Sequence, residues 1–148
     1  MVDQHTRHAW GTALLRIWLG ILFVMHGYLG AVVLGPEAIA GYTTRMGFPA
    51  SAGVALGWYL IAAHLVGGAL LVIGLWTRAA ALVNVPVIAS AVFLLHLQQG
   101  FFMSAAGGSE FTLTVLVATL AVMLLGPGAL SVDHAISDRR LDGSMRMP

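Results

Sequence analysis

Ala63-His64-Leu65-Val66-Gly67-Gly68-Ala69-Leu70-Leu71-Val72-Ile73-Gly74-Leu75-Trp76-Thr77-Arg78-Ala79-Ala80-Ala81-Leu82 is the stretch that decides the fold. It holds most of an apolar helix carrying one histidine, then a glycine pair. Thr77-Arg78 interrupts the run before a second apolar segment begins. Hydrophobic residues make up 59% of the 148-residue chain and charged residues 9%, against roughly 45–50% and 25% in soluble proteins. A single domain of this size has no interior large enough for so much apolar surface, so lipid is its expected solvent. The formal charge of +1 comes from dispersed residues and gives no nucleic-acid footprint. The absence of cysteine excludes a disulfide, a thiolate nucleophile, an iron–sulfur cluster and Cys-ligated zinc.

Working outward, apolar segments fall at about residues 13–34, 54–76, 79–97 and 110–127. The first is long enough, at about 1.5 Å per residue, to cross a bilayer. Gly35-Pro36-Glu37 ends it, and residues 35–53 read as a loop with a short helix near 37–46. Pro86 lies inside the third segment, where neighbouring helices can re-satisfy a freed carbonyl. Ala38-Ile39-Ala40 resembles a signal cleavage site, but the apolar run is long for a signal peptide and Pro36-Glu37 intervenes, so the first segment is expected to be kept. The expectation is an all-α integral membrane four-helix bundle. Residues 1–9 precede a single membrane domain over 10–132, and a charged tail covers 133–148.

Orientation follows from the basic residues. With four spans, Arg7, Arg16, Arg78, Arg139, Arg140 and Arg146 fall on one side and Arg45 alone on the other. Both termini are therefore expected in the cytoplasm, in a bacterial inner membrane. Trp10 and Trp76 then lie near the inner interface and Trp58 near the outer one.

Polar groups inside apolar spans need partners or a wet cavity. Counting rise along each helix places His26, His64, His96 and Glu110 in the outer half of the bilayer, one from each span. Helical phase aligns Gly57, His64, Gly68, Leu71 and Leu75 on the second span, and Gly20, Phe23, Gly27 and Gly30 on the first, with His26 at the flank. It aligns Val85, Ala89, Val92 and His96 on the third, and Glu110, Thr114, Val117 and Ala121 on the fourth. The competing reading is structural. A membrane histidine can simply hydrogen-bond a carbonyl, and Glu110 can serve a helix start that Ser109 caps. Tyr28, Tyr42, Tyr59 and the Phe101-Phe102 pair read as interfacial anchors. At the inner side, Arg16, Arg78, Asn84 and Asp133 form a second polar set, in which Arg16 and Asp133 are expected to pair.

The ordered set Arg16-x3-Gly20-x2-Phe23, His26-Gly27, Gly47-Phe48-Pro49, Gly67-Gly68-x5-Gly74-x2-Thr77-Arg78, His96-x3-Gly100-Phe101-Phe102, Gly107-Gly108-x-Glu110-Phe111 and Gly126-Pro127-Gly128-x2-Ser131-x-Asp133 resembles the DoxX/DoxD family of small four-helix membrane proteins. The resemblance covers roughly residues 12–134. One position departs: the family usually carries an acid three residues before the glycine pair, and here that residue is His64. The resemblance implies a membrane redox role, as a subunit of a quinone-linked oxidoreductase complex.

Three readings follow. In the first, His26, His64 and His96 bind quinone, His64 and His96 act with Glu110 as the catalytic proton-transfer set, and electrons come from a partner protein. In the second, the three imidazoles and the carboxylate hold a metal ion. In the third, the chain is a non-catalytic anchor or assembly partner for another enzyme. Transport would need a homo-oligomer, since four short helices form no pore alone.

Overall fold

The structure, a computed structural model, describes residues 3–104 and 107–145, with the backbone alone over 139–145. Of the basic residues that set the expected orientation, Arg146 lies outside the described residues, as do the side chains of Arg139 and Arg140. The described chain is all-helical. Its one β-type pairing is an isolated bridge between Ser104 and Gly107.

The described residues form six helices: α1 (Gln4–Leu34), α2 (Pro36–Arg45), α3 (Ala50–Ile73), α4 (Thr77–Gln99), α5 (Glu110–Leu125) and α6 (Val132–Met145). Three of them, α1, α3 and α4, are long and apolar enough to cross a membrane; α5 is apolar but shorter, at 16 residues. Polar residues ahead of position 13 extend α1 beyond its expected start, because the Asp3 carboxylate caps it by accepting from the Thr6 N–H at 2.8 Å. Gly35, at φ 78°, ends α1, and Pro36 opens α2 at the position where a missing N–H costs nothing. Gly74, at φ 70°, closes α3 in a left-handed cap, with its N–H and that of Leu75 returning to Leu70 O.

The four apolar helices pack in a closed cycle, α1 on α3, α3 on α4, α4 on α5 and α5 on α1. Leu19, Phe23, Leu71, Ala81, Val92 and Val122 form the shared core. The outward faces are greasy: Leu14, Met25, Val66, Leu82, Phe93 and Leu124 are all exposed, as lipid contact requires. The α1–α3 crossing is the tightest. A Cβ at Gly20 would lie 2.7 Å from Gly68 O, and one at Gly68 would lie 2.8 Å from Val24 N. Small residues at such crossings let backbones meet where lipid offers no hydrophobic drive between helices.

The expected interior rows hold on α1 and α3, hold on α4 only at Val92, and fail on α5. Gly20, Phe23, Gly27 and Gly30 are buried on α1; Gly57, His64, Gly68 and Leu71 are buried on α3, with Leu75 half-buried. On α4 the interior row is Thr77, Ala80, Ala81, Asn84, Val87 and Ile88, while Val85, Ala89 and His96 sit at its margin. On α5 the buried residues are Leu116, Thr119 and Val122; Thr114 and Val117 face outward. The buried Thr119 hydroxyl donates to Val115 O at 2.7 Å, so it needs no partner from another helix. Tyr59, expected only as an anchor, donates its hydroxyl to Val83 O at 2.8 Å, close to Pro86.

The inner polar set is also rearranged. Arg16 is 0% exposed. Its guanidinium donates to Pro127 O at 2.8 Å, Val72 O at 2.9 Å, Leu130 O at 2.9 Å and Ala129 O at 3.2 Å, and also to Leu71 O. It thereby ties α1 to the end of α3 and to the segment after α5. Arg16 and Asp133 interact through space but form no ion pair among the described residues. The Asp133 oxygens are taken by the N–H groups of Trp76 at 2.8 Å and Thr77 at 2.9 Å, at the start of α4. A carboxylate on free N–H groups at the positive end of a helix is a strong capping arrangement. Asp133→Ala is expected to cost about 0.5–2 kcal/mol, read as a lower melting temperature in detergent and faster amide exchange at Trp76 and Thr77.

Candidate functional site

The chain widens from its α-helical path in three places: Leu29–Leu34 in α1, Ala63–Gly67 in α3 and Ala91–His96 in α4 are π-helical turns. Such turns insert a residue into the helical register and are frequent at functional sites. Two of them contain a candidate residue, His64 and His96. The turn in α3 packs against α1 and α4.

Beside these turns lies a cavity of about 420 Å³, within the range of small-molecule sites. His26, His64 and His96 all contribute to its wall, which is otherwise predominantly apolar and includes Phe23, Leu60 and Ile88. Tyr42 of α2 and Met103 of the following loop border it as well. The His64 ring packs against Phe23 with centroids 5.1 Å apart, and against His26 at 6.4 Å in an edge-on arrangement. The three histidines therefore share one space, and Glu110 does not. Its Oε1 instead accepts from the Met103 N–H at 3.1 Å and holds the loop between α4 and α5. Ser109 is not the expected side-chain cap: its hydroxyl donates to Gly100 O at 3.1 Å, closing that same loop.

Two of the three histidines are held by an oxygen. His26 Nδ1 lies 2.9 Å from Leu22 O, one turn back on its own helix. His96 Nδ1 lies 3.1 Å from Gln99 Oε1. His64 is 8% exposed, and its Nδ1 is buried without a formed hydrogen bond. The side chain beside it is Asn84, 0% exposed, whose Oδ1 is likewise buried without a formed bond. Asn84 Nδ2 donates to Ala80 O at 2.9 Å, which leaves Oδ1 as the atom available to His64. Gly67 makes room for this amide, since a Cβ there would lie 2.5 Å from Nδ2.

Asn84 thus belongs with His64 and not with the inner polar set. Its height carried the signal: from the turn at Gly74, both residues lie roughly two to three helical turns away. Among the described residues, no three His, Asp or Glu side chains are grouped closely enough to hold a metal.

An all-helical membrane protein with a histidine-walled apolar cavity is the class that this fold and site define. The DoxX family model matches residues 11–97, which include all three cavity histidines, and the chain belongs to the DoxX family. Among curated proteins, it is 26% identical over 135 residues to "Putative oxidoreductase CatD" of Bacillus subtilis (strain 168), covering 91% of this chain and 93% of that protein. It is 31% identical over 126 residues to an uncharacterized protein of Haemophilus influenzae (strain ATCC 51907 / DSM 11121 / KW20 / Rd), covering 82% of this chain and 87% of that one. No solved structure matches it.

Proposed function

We propose that this chain is a membrane subunit of a quinone-linked oxidoreductase complex and that the histidine-walled cavity holds the quinone head group. The carrying observation is the joint presence of His26, His64 and His96 on the wall of a largely apolar space of about 420 Å³. An apolar lining with a few placed polar groups is what a lipid-soluble ring with polar oxygens requires. The oxidoreductase name of the Bacillus subtilis relative supports the reaction class.

In this reading the apolar helices form a four-span bundle in a bacterial inner membrane, with residues 10–132 as the membrane domain. Both termini lie in the cytoplasm, since Arg7, Arg16, Arg78, Arg139, Arg140 and Arg146 fall on that side and Arg45 on the other. His26, His64 and His96 bind the head group. When bound, the quinone supplies a couple in which electrons and protons move together. His64 and His96 then supply protons at their cavity-facing nitrogens, and Glu110 exchanges protons with the outer surface. Electrons arrive from a partner subunit, and the lipid-facing helix surfaces are where such a partner, or a second copy, docks.

Host membranes provide the test. Deleting the chain, or replacing His64 with Ala, is expected to abolish a quinone-reducing activity, and Ala91→Phe, which fills the cavity from α4, is expected to lower it at least about tenfold. Activity lost on deletion but intact in both substituted strains would leave an anchoring or assembly role in place of this one.

A further inference from the structure

Each cavity histidine has an oxygen to pair with its Nδ1, and the chemistry of those oxygens decides which proton the ring carries. Leu22 O is a carbonyl and can only accept, so His26 Nδ1 must be the donor. Gln99 Oε1 imposes the same choice on His96. Asn84 spends its N–H on Ala80 O, which leaves its buried Oδ1, an acceptor without a formed bond, as the atom it can offer to the equally unbonded and buried His64 Nδ1. A neutral imidazole carries one N–H, so a proton on Nδ1 leaves Nε2 as a bare acceptor. His64 borders the cavity while its Nδ1 is buried, so Nε2 is the nitrogen that meets a ligand.

Resting on the quinone reading of this cavity, we propose that it recognises the reduced, hydroxyl-bearing form of its ligand in preference to the oxidised form, through Nε2 acceptors on His26, His64 and His96. A hydroquinone O–H donates to such an atom. A quinone carbonyl is itself an acceptor and faces it with no proton between them. Asn84 is then a positioning residue. It touches no ligand, and by taking the Nδ1 proton of His64 it fixes which form the cavity favours. An oxygen that bonds the far nitrogen of a histidine and so sets its tautomer is a familiar device at metal sites; here it selects between two oxidation states of an organic ring.

Two measurements test this. Nitrogen-15 histidine NMR of the detergent-solubilised chain should show His26 and His64 protonated at Nδ1; a proton on Nε2 of either neutral ring overturns the proposal. Equilibrium binding of a short-chain hydroquinone and of its quinone, under anaerobic conditions, should favour the hydroquinone by about tenfold, the worth of one neutral hydrogen bond. Asn84→Leu should bring that ratio toward unity in a chain whose melting curve shows it folded, and Asn84→Asp, which keeps an acceptor oxygen, should restore it. Equal affinities, or tighter quinone binding, remove the proposal and leave the quinone site standing. Binding of neither form removes both. The NMR result needs no variant, so it stands even where Asn84→Leu does not fold.

Discussion

Arg16→Ala is expected to destabilise the folded chain by about 3–5 kcal/mol, the usual cost of removing one partner from a buried charged network. The guanidinium is fully buried and bonds five carbonyl oxygens, those of Leu71, Val72, Pro127, Ala129 and Leu130. Helix ends leave carbonyls without intrahelical partners, and these five come from the end of α3 and the segment beyond α5. One side chain on α1 therefore satisfies carbonyls at the C-terminal end of α3 and in the segment that follows α5. Arg16→Ala removes its bond from all five at once, and of these Leu71 O keeps a second partner, the Gly74 N–H at 3.2 Å. Arg16→Lys should recover only part of the loss, because an ammonium is a compact charge without the planar fork that reaches separate acceptors. Unfolding of the detergent-solubilised protein by a denaturing surfactant reads both. Wild-type stability in Arg16→Ala would mean that the network contributes nothing.

Gly68→Val is expected to cost about 1–3 kcal/mol or more, because it overpacks a site with no slack. The obstacles to a side chain at Gly68 are Val24 N at 2.8 Å and Gly20 O at 2.9 Å, both backbone atoms that cannot swing aside. Helices α1 and α3 must separate to accept it, and they carry His26 and His64. Cavity geometry should therefore change along with stability. Gly20→Ala opens the same crossing, so the Gly20→Ala/Gly68→Ala pair should cost less than the sum of its parts. Gly11 is the control. It lies in α1 with nothing within 4 Å of its missing Cβ, and Gly11→Ala should stabilise by about 0.4–1 kcal/mol. Thermal unfolding of Gly68→Val, both single alanine variants, their pair and Gly11→Ala gives the comparison, and equal effects at Gly11 and Gly68 would contradict the crossing described.

The contrast between helices shows what the sequence made legible. On α1 and α3 the interior face was readable because glycines recur at helical spacing, and small residues mark contact faces in lipid. On α4 and α5 apolar spacing missed most of the buried positions: of Val85, Ala89, Val92 and His96 only Val92 is buried, and of Glu110, Thr114, Val117 and Ala121 none is. In water, apolarity distinguishes inside from outside; in a bilayer both sides are apolar, and Val117 is as well served by lipid as by protein. The true rows are marked by Ala80, Ala81, Asn84 and Thr119, small or polar residues whose hydrogen bonds close within their own helix. The three histidines could be brought to one level by counting rise. Asn84 was assigned to the inner end because it was grouped with charges and not matched in height to His64. The absence of an Arg16–Asp133 ion pair was not legible either, since both partners are taken by backbone groups that only the folded hairpins present.

The most direct test of the cavity's role is the quinone content of the purified chain. Protein isolated in mild detergent from its host membrane, washed free of bulk lipid and extracted with organic solvent, should yield close to one quinone per chain. Ala91→Phe, purified alongside at the same melting temperature, should yield about tenfold less. Equal quinone in the two preparations, or none in the wild type, would contradict the assignment of the His26–His64–His96 cavity as a quinone site.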